Sequence, residues 1–190
     1  MPNKIICIVG MPGSGKSVVA DELVREGFAF LRFGQITLDI VKERGLAPVE
    51  KNEREVREGL RKEHGMAAFA ILNIPKIDEL LEKSDVAVDG LYSWSEYKVL
   101  KEKYGDLMSV IAVFAPPKLR YGRLTGRSVK DDMAQRFRNF TKEEARSRDY
   151  AEIENLEKGG PIVMADFTIV NTGSLDQLKE NIGEVLSQIK

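Results

Sequence analysis

The 190-residue sequence has a single cysteine and a single histidine. Cys7 has no second cysteine with which to form a disulfide bond, so the reducing cytoplasm is the expected location. It lies within the apolar run 5–9 and is therefore interpreted as a buried core residue. His64 lies in a charged, helix-like stretch and has no second histidine or cysteine with which to share a metal, so a surface position is expected.

The sequence also lacks an excess of charge of either sign. Lysine and arginine number 29, aspartate and glutamate number 30, and the formal net charge is −1. A surface built for nucleic acid needs a basic excess, so no nucleic-acid partner is expected. The first four residues lead into only five apolar residues, which is too short for a secretion signal or a membrane span, so no membrane association is expected. Any phosphate chemistry must therefore use a local cluster of basic residues.

Short apolar runs alternate with stretches of helical periodicity, which predicts a parallel sheet covered by helices on both faces. The predicted strands are residues 5–9, 28–33, 85–89, 108–114 and 166–170. The predicted helices are residues 18–26, 36–44, 50–63, 66–83 (kinked or restarted near Pro75), a helix from Ser93 to about Tyr104, 118–125, 133–156, and a last helix capped by Ser174. The length fits one α/β domain spanning residues 1–190.

The segment between the first strand and the first helix has the pattern G-x-x-x-x-G-K-[ST]. Its residues are Gly10, Met11, Pro12, Gly13, Ser14, Gly15, Lys16 and Ser17. Glycines let successive backbone N–H groups point inward around phosphates at the positive end of the helix. Lys16 adds a full charge near the terminal phosphates, and the Ser17 hydroxyl is a ligand that Mg²⁺ accepts. The pattern predicts an ATP and Mg²⁺ site in a three-layer P-loop NTPase fold, the alternative being a glycine-rich turn without a ligand.

Asp89 ends the third predicted strand, and ligands of such sheets bind beyond the carboxyl ends of the strands. Asp89 therefore fits a Walker-B-like carboxylate that orients Mg²⁺ or the attacking hydroxyl, and its alternative role is that of a turn or cap residue. Gly90 follows it instead of the glutamate that many water-activating ATPases carry, which disfavours a motor or transporter ATPase. The guanine-reading pattern Asn-Lys-x-Asp does not occur in the sequence, which disfavours a GTPase.

Arginines recur at helical spacing after the fourth predicted strand, at the start of a lid-like segment of about residues 117–140. They are Arg120, Arg123 and Arg127. Guanidinium groups can spread charge over transferred phosphoryl oxygens, and a catalytic role is expected for Arg123 and Arg127. For Arg120 a role in the site and a place on a solvated basic face are equally compatible with the spacing.

Three segments carry a resemblance to known kinases. Residues 123–127, Arg-Leu-Thr-Gly-Arg, resemble the lid entrance of adenylate kinases, as the pair Asp89-Gly90 resembles their Asp-Gly. Residues 165–174 resemble the end of dephospho-CoA kinases. The whole layout is similar to an uncharacterised, mainly archaeal family of small nucleotide-kinase-like proteins near dephospho-CoA kinase. The resemblance implies strand order 2-3-1-4-5 and ATP as the donor. It also implies that Arg123 and Arg127 close over ATP and that Asn171 and Gly173 lie near the adenine.

The acceptor side, about residues 34–83, departs from the kinases that the sequence resembles. Dephospho-CoA kinases carry an aspartate after the second strand that acts as the catalytic base. This chain has Gln35 in that region, and its neutral amide cannot accept a proton. Asp39, one helical turn further on, is a weak substitute. Arg54, Arg57 and Arg61 share one helix face that could hold an anionic acceptor, although interleaved glutamates make ordinary surface ion pairs an equally good explanation.

These features predict an ATP- and Mg²⁺-dependent phosphotransferase that acts on a nucleotide or a related small acceptor. The predicted catalytic residues are Lys16, Asp89, Arg123 and Arg127, and the predicted metal ligands are Ser17 and Asp89. The alternative is an ATP-binding regulatory protein that reports to a partner without efficient phosphotransfer, which the missing acceptor residues favour. The identity of the acceptor is left open.

Overall fold

The structure, a computed structural model, describes residues 2–126 and 140–189. Five parallel strands form one sheet in the order β2-β3-β1-β4-β5, as the resemblance implies. The strands are β1 (Ile5–Val9), β2 (Ala29–Arg32), β3 (Val86–Asp89), β4 (Met108–Phe114) and β5 (Phe167–Val170). The helices are α1 (Lys16–Arg25), α2 (Gln35–Glu43), α3 (Glu50–His64), α4 (Ala68–Leu81), α5 (Trp94–Tyr104), α6 (Pro117–Thr125), α7 (Lys142–Glu154), α8 (Gly159–Val163) and α9 (Leu175–Ile189). The three-layer α/β prediction is confirmed.

The two faces of the sheet carry separate cores because side chains alternate along each strand. Ile6 and Ile8 of β1 pack on one face with residues of α1 and α9, which we call the α1 face. Cys7 and Val9 pack on the opposite face with residues of α4 and α5. All five residues of β1 are buried, as expected for a central parallel strand, and Cys7 is the buried core residue that the sequence predicted.

Most element boundaries agree with the sequence to within two residues, and two differ for physical reasons. Helix α4 continues through Pro75, so of the two predicted alternatives the restart is wrong and the kink stays a prediction. Pro75 has no N–H group, so the carbonyl oxygen of Ile71, four residues earlier, lacks its helical hydrogen bond. Ile71 is exposed, so water can supply a replacement hydrogen bond. Helix α8 was not predicted, because its sequence, Gly-Gly-Pro-Ile-Val, contains the residues that normally interrupt helices.

The capping boxes at Ser93 and Thr141 are both present, and they begin α5 and α7. The long helix predicted over residues 133–156 is described only from residue 140 onward, where α7 begins at Lys142. Among residues 2–126 and 140–189, no helix combines the length and the apolar character that a membrane crossing requires.

Candidate nucleotide-binding site

The loop between β1 and α1 has the backbone that its glycines predict. Gly10, Gly13 and Gly15 have φ angles of 142°, 79° and 109°, a region that other residues rarely adopt. A Cβ atom at Gly10 would lie 2.4 Å from the carbonyl oxygen of Val113, so β4 also approaches too closely for a side chain. Gly15 caps α1 without a side-chain hydrogen bond to the first turn. The N–H group of Val18 donates to the carbonyl oxygen of Gly15 at 3.0 Å, and the N–H groups of Lys16 and Ser17 are left available to an anion.

The Lys16 side chain lies across this loop. Its Nζ donates hydrogen bonds to the carbonyl oxygens of Gly10, at 2.9 Å, and Met11, at 3.4 Å. The pKa of Lys16 is lowered to about 8, chiefly by burial and also by the charge of Lys158, while the carboxylate of Asp89 opposes the shift. The ammonium group thus lies at the mouth of the loop, in a poorly solvated position where an anionic ligand would stabilise its charged form.

Asp89 lies on the same side of the sheet as the start of α1. It is aligned with Ile8 in the parallel pairing of β1 and β3, and aligned residues of neighbouring strands point to the same face. Ile8 packs with Val19 and Leu23 of α1. The Asp89 carboxylate also raises the pKa of Lys16, which agrees with a position of Asp89 beside the loop.

The oxygen atoms near the loop suit a magnesium ion. The Oδ1 atom of Asp89 is buried and accepts no hydrogen bond from any described residue. A buried carboxylate oxygen without a partner is costly, and a bound cation or its water shell would satisfy it. No group of three or more histidine, cysteine or acidic side chains arranged for a metal occurs in residues 2–126 and 140–189. Magnesium at a phosphate site needs only one or two protein ligands, since phosphates and waters supply the others, so Ser17 and Asp89 fit.

Asn171 follows β5 and ties this strand to the phosphate loop. Its Nδ2 donates to the carbonyl oxygen of Ser14 at 2.7 Å, and the side chain is only 7% exposed. The carbonyl oxygen and Oδ1 of Asn171 both accept from Arg123, at 3.1 and 3.2 Å. A Cβ atom at Gly15 would lie 2.3 Å from the Asn171 amide nitrogen. The side chain therefore supports the loop, while the proximity of Asn171 and Gly173 to an adenine stays a prediction.

The predicted arginines have different surroundings. Arg120 is buried and forms two hydrogen bonds, of 2.8 and 2.6 Å, with the carboxylate of Asp149. It also donates to the carbonyl oxygen of Pro12 in the phosphate loop at 3.1 Å. Arg120 is therefore neither on a solvated face nor free to close over a ligand, because α7 supplies the carboxylate that neutralises it. Arg123 retains a buried Nη1 without a partner among the described residues, and Arg127 lies outside those residues.

A charged cluster whose members act on the pKa of Lys16 was not predicted from the sequence. Glu152 of α7 accepts hydrogen bonds from Arg148, at 2.9 Å, and from Lys158, which precedes α8. Lys158 is 1% exposed, and its Nζ lies 4.5 Å from the centre of the Tyr92 ring. Burial lowers the pKa of Lys158, against the opposing effect of Glu152. Nothing in the local sequence marks these residues, because a polar stretch of this kind is usually exposed.

The three arginines that the sequence placed on one face of α3 have different partners in the structure. Arg54 pairs with Glu58 at 2.7 Å, and Arg57 pairs with Glu50 at 2.5 Å. For these two residues the ordinary surface ion pairs are confirmed. Arg61 instead stacks over the Phe69 ring, 5.1 Å from its centre.

Solved structures identify the class of fold. The chain matches TT1252 from Thermus thermophilus with a TM-score of 0.66 and 22% identity, over the full length of both chains. It matches a gluconokinase from Sinorhizobium meliloti with a TM-score of 0.59 and 14% identity, over 99% of this chain and 93% of that one. A shikimate kinase from Bacteroides thetaiotaomicron gives 0.59 and 12%, over 98% of both chains. At these identities the likeness shows the fold alone, which is that of the P-loop kinases.

The sequence also identifies the family. A family described as an AAA domain matches residues 6–149. The chain is 34% identical over 187 residues to a UPF0200 protein of Thermococcus gammatolerans, which covers 97% of this chain and 95% of that protein. The chain therefore belongs to the AAA-domain family and to the UPF0200 proteins, and the resemblance to a small kinase-like family is confirmed.

Proposed function

We propose that this chain is an ATP- and Mg²⁺-dependent phosphotransferase that acts on a small acceptor. The observation that carries the proposal is the meeting of three groups at one edge of the sheet. They are the N–H groups of Lys16 and Ser17 at the start of α1, the Lys16 ammonium, and the Asp89 carboxylate, whose buried Oδ1 has no described hydrogen-bond partner. The combination fits the terminal phosphates of a nucleoside triphosphate with its metal.

In the proposed mechanism the loop amides bind the β- and γ-phosphates of ATP. Lys16 exchanges its hydrogen bonds with Gly10 and Met11 for hydrogen bonds with phosphate oxygens. Arg123 has a buried donor, Nη1, that can bind a further phosphoryl oxygen. Ser17 and Asp89 would hold Mg²⁺, which supplies positive charge that neutralises the phosphates when it is bound.

The surroundings of Asp39, the weak substitute for a catalytic base, bear on which kind of acceptor is proposed. The Gln35 amide donates to the Asp39 carboxylate at 2.9 Å, and both side chains are exposed at the start of α2. An exposed, hydrogen-bonded aspartate is a poor base for a hydroxyl acceptor. A phosphate acceptor needs no base, because its attacking oxygen is already ionised at neutral pH. We therefore favour an acceptor that receives the phosphoryl group on an existing phosphate.

The test is acceptor-dependent formation of ADP by the purified chain and by a Lys16→Ala variant. We expect turnover with at least one small acceptor and its loss in the variant, with the thermal unfolding transition preserved. Lys76→Ala, which removes an exposed lysine paired with Glu79, is the control and should retain activity. Tight ATP binding without turnover on any acceptor would contradict the proposal and support the regulatory alternative.

A further inference from the structure

Lys158 is a buried lysine whose ammonium group lies against an aromatic ring. Its side chain is 1% exposed, and its Nζ donates to the Glu152 carboxylate and lies 4.5 Å from the centre of the Tyr92 ring. Burying an ion pair costs much of what the pairing returns, and well-packed apolar side chains of similar volume often give equal or greater stability. Stability alone therefore does not explain a lysine at this position.

The backbone between α7 and α8 directs Lys158 into the interior. Glu157 has a φ angle of 53°, in the left-handed region that residues other than glycine rarely adopt. The N–H group of Lys158 donates to the carbonyl oxygen of Glu152 at 3.3 Å, and the N–H group of Gly160 donates to that of Glu157 at 3.1 Å. These hydrogen bonds close a tight turn after α7, and the turn fixes the direction of the buried lysine.

The Tyr92 ring packs over the turn that follows Asp89. Gly90 has a φ angle of 110°, and a Cβ atom there would lie 3.4 Å from Cε2 of Tyr92 and 3.1 Å from Cβ of Phe33. The ring that Lys158 contacts is therefore packed on the residue directly after the proposed metal ligand. Burial lowers the pKa of Lys158, and the charge of Asp89 opposes that shift, which agrees with this arrangement.

Helix α7 contacts both halves of the proposed site. Asp149 and Glu152 are three residues apart, so they are neighbours on the surface of the helix. Asp149 pairs with Arg120, which donates to the carbonyl oxygen of Pro12 in the phosphate loop at 3.1 Å. Glu152 pairs with Lys158. One face of α7 therefore supports the phosphate loop through one ion pair and the turn after β3 through the other.

We propose that Lys158 is a positioning residue for the metal-binding carboxylate. Its ammonium group, held by Glu152, fixes the Tyr92 ring and with it the turn that presents Asp89 to Mg²⁺. A cation over an aromatic ring is attracted by the electrons of the ring, and the attraction is larger where water is excluded. Groups that orient a metal ligand without touching the metal commonly set the metal affinity. The inference rests on the proposed function, in which Ser17 and Asp89 hold the metal.

The test is calorimetric titration of the full chain with a non-hydrolysable ATP analogue, once with Mg²⁺ and once with EDTA. The ratio of the two dissociation constants measures the coupling between metal and nucleotide. In the parent protein we expect Mg²⁺ to tighten binding, and Asp89→Asn should remove most of this gain.

Lys158→Met should lower the gain about tenfold, while affinity in EDTA should stay within about threefold of that of the parent protein. A merely structural role would weaken binding under both conditions alike.

Lys98→Met is the matched control, because the Lys98 ammonium lies 5.9 Å from the centre of the Trp94 ring but the side chain is exposed. It should keep the gain of the parent protein. Tyr92→Leu removes the ring and should lose as much of the gain as Lys158→Met, which preserves the test if the lysine variant folds poorly. Tyr92→Phe keeps the ring and should lose less than Tyr92→Leu.

The proposal is overturned if Lys158→Met retains the gain that Asp89→Asn loses, or if it weakens binding equally with Mg²⁺ and with EDTA. It is also overturned if Mg²⁺ gives the parent protein no gain, because Asp89 then holds no metal. Failure of the proposed function gives a different result. A gain that depends on Lys158, without formation of ADP from ATP on any acceptor, would contradict phosphotransfer and leave the positioning role in place.

Discussion

The side-chain amide of Asn171 donates a 2.7 Å hydrogen bond to the carbonyl oxygen of Ser14, joining residues 157 positions apart in the chain. The bond fastens the phosphate loop to the end of β5. It also explains why residue 15 must be glycine, since a Cβ atom there would collide with the same amide. The shape of the loop therefore depends on a residue that lies far beyond the phosphate-loop motif.

Replacing Asn171 should loosen the phosphate loop. We expect Asn171→Ala to lower the free energy of unfolding by about 1–3 kcal/mol, because the buried Ser14 carbonyl oxygen and the Arg123 donor lose a partner. Affinity for ATP should fall as well. Urea denaturation and nucleotide titration measure the two effects, with the exposed Asn155→Ala as the control. Unchanged nucleotide affinity would show that the loop keeps its shape without the bond.

The buried pair Arg120–Asp149 predicts a larger loss of stability. Both side chains are 5% exposed, and Asp149→Ala would leave the guanidinium buried without its counter-charge. We expect a loss of about 3–5 kcal/mol in the free energy of unfolding. Arg54→Ala, which breaks the exposed pair with Glu58, should cost no more than about 1 kcal/mol. Equal losses in the two variants, measured by urea denaturation, would contradict the conclusion that burial makes the Arg120–Asp149 pair more important for stability.

The pKa of Lys16 predicts a proton uptake on ATP binding. In the free protein burial lowers this pKa to about 8, so the side chain is mostly neutral at pH 9. Phosphate stabilises the charged form, so binding at pH 9 should take up a proton, and affinity should fall as pH rises above about 8.

Calorimetry at pH 9 in two buffers of different ionisation enthalpy measures this uptake, which Lys16→Met should abolish. Equal binding enthalpies in the two buffers for the parent protein would contradict the shift. Below about pH 7 the lysine is charged before and after binding, so no pH dependence from this group is expected there.

Glu96, which caps the start of α5, should make the folded protein less stable as pH rises. Burial raises the pKa of Glu96 to about 7, although backbone N–H groups of Ser93 and Tyr92 and the charge of Arg61 oppose the shift. A raised carboxyl pKa means that the folded chain binds more protons than the unfolded chain between about pH 4.5 and 7. Stability from this group is therefore complete below about pH 4.5 and is lost as pH rises toward 7.

The measurement is urea denaturation at pH 5 and pH 8 for the parent protein and for Glu96→Gln. The amide keeps an oxygen acceptor for the N–H groups of Tyr92 and Ser93 but does not titrate. In Glu96→Gln the difference between the free energies of unfolding at pH 5 and pH 8 should be smaller by up to about 3 kcal/mol, at roughly 1.4 kcal/mol per pKa unit. Glu102→Gln, at an exposed position of the same helix, should leave the difference unchanged. An unaltered pH dependence in Glu96→Gln would contradict the raised pKa.

Most of the fold and the phosphate loop could be predicted from the sequence because their causes are local. The three central strands, β3, β1 and β4, are mostly buried and require apolar runs. The loop requires glycine at Gly10, Gly13 and Gly15, where φ is positive. The capping boxes at Ser93 and Thr141 are likewise four-residue patterns. The sequence left open whether α4 is kinked or restarts at Pro75, and the structure shows that the helix continues.

The partners of the charged side chains could not be predicted from the sequence, because they depend on contacts between distant segments. Arg54, Arg57 and Arg61 have the spacing of one helix face, yet two of them pair with glutamates and the third stacks on Phe69. Lys158 looks like an exposed lysine in the sequence and is almost fully buried in the fold. The proposed phosphate site could be located from local residue types, because glycine and the residues around it decide the conformation of the loop. Which charges remain unpaired around that phosphate depends on residues that only the packing of distant helices brings together.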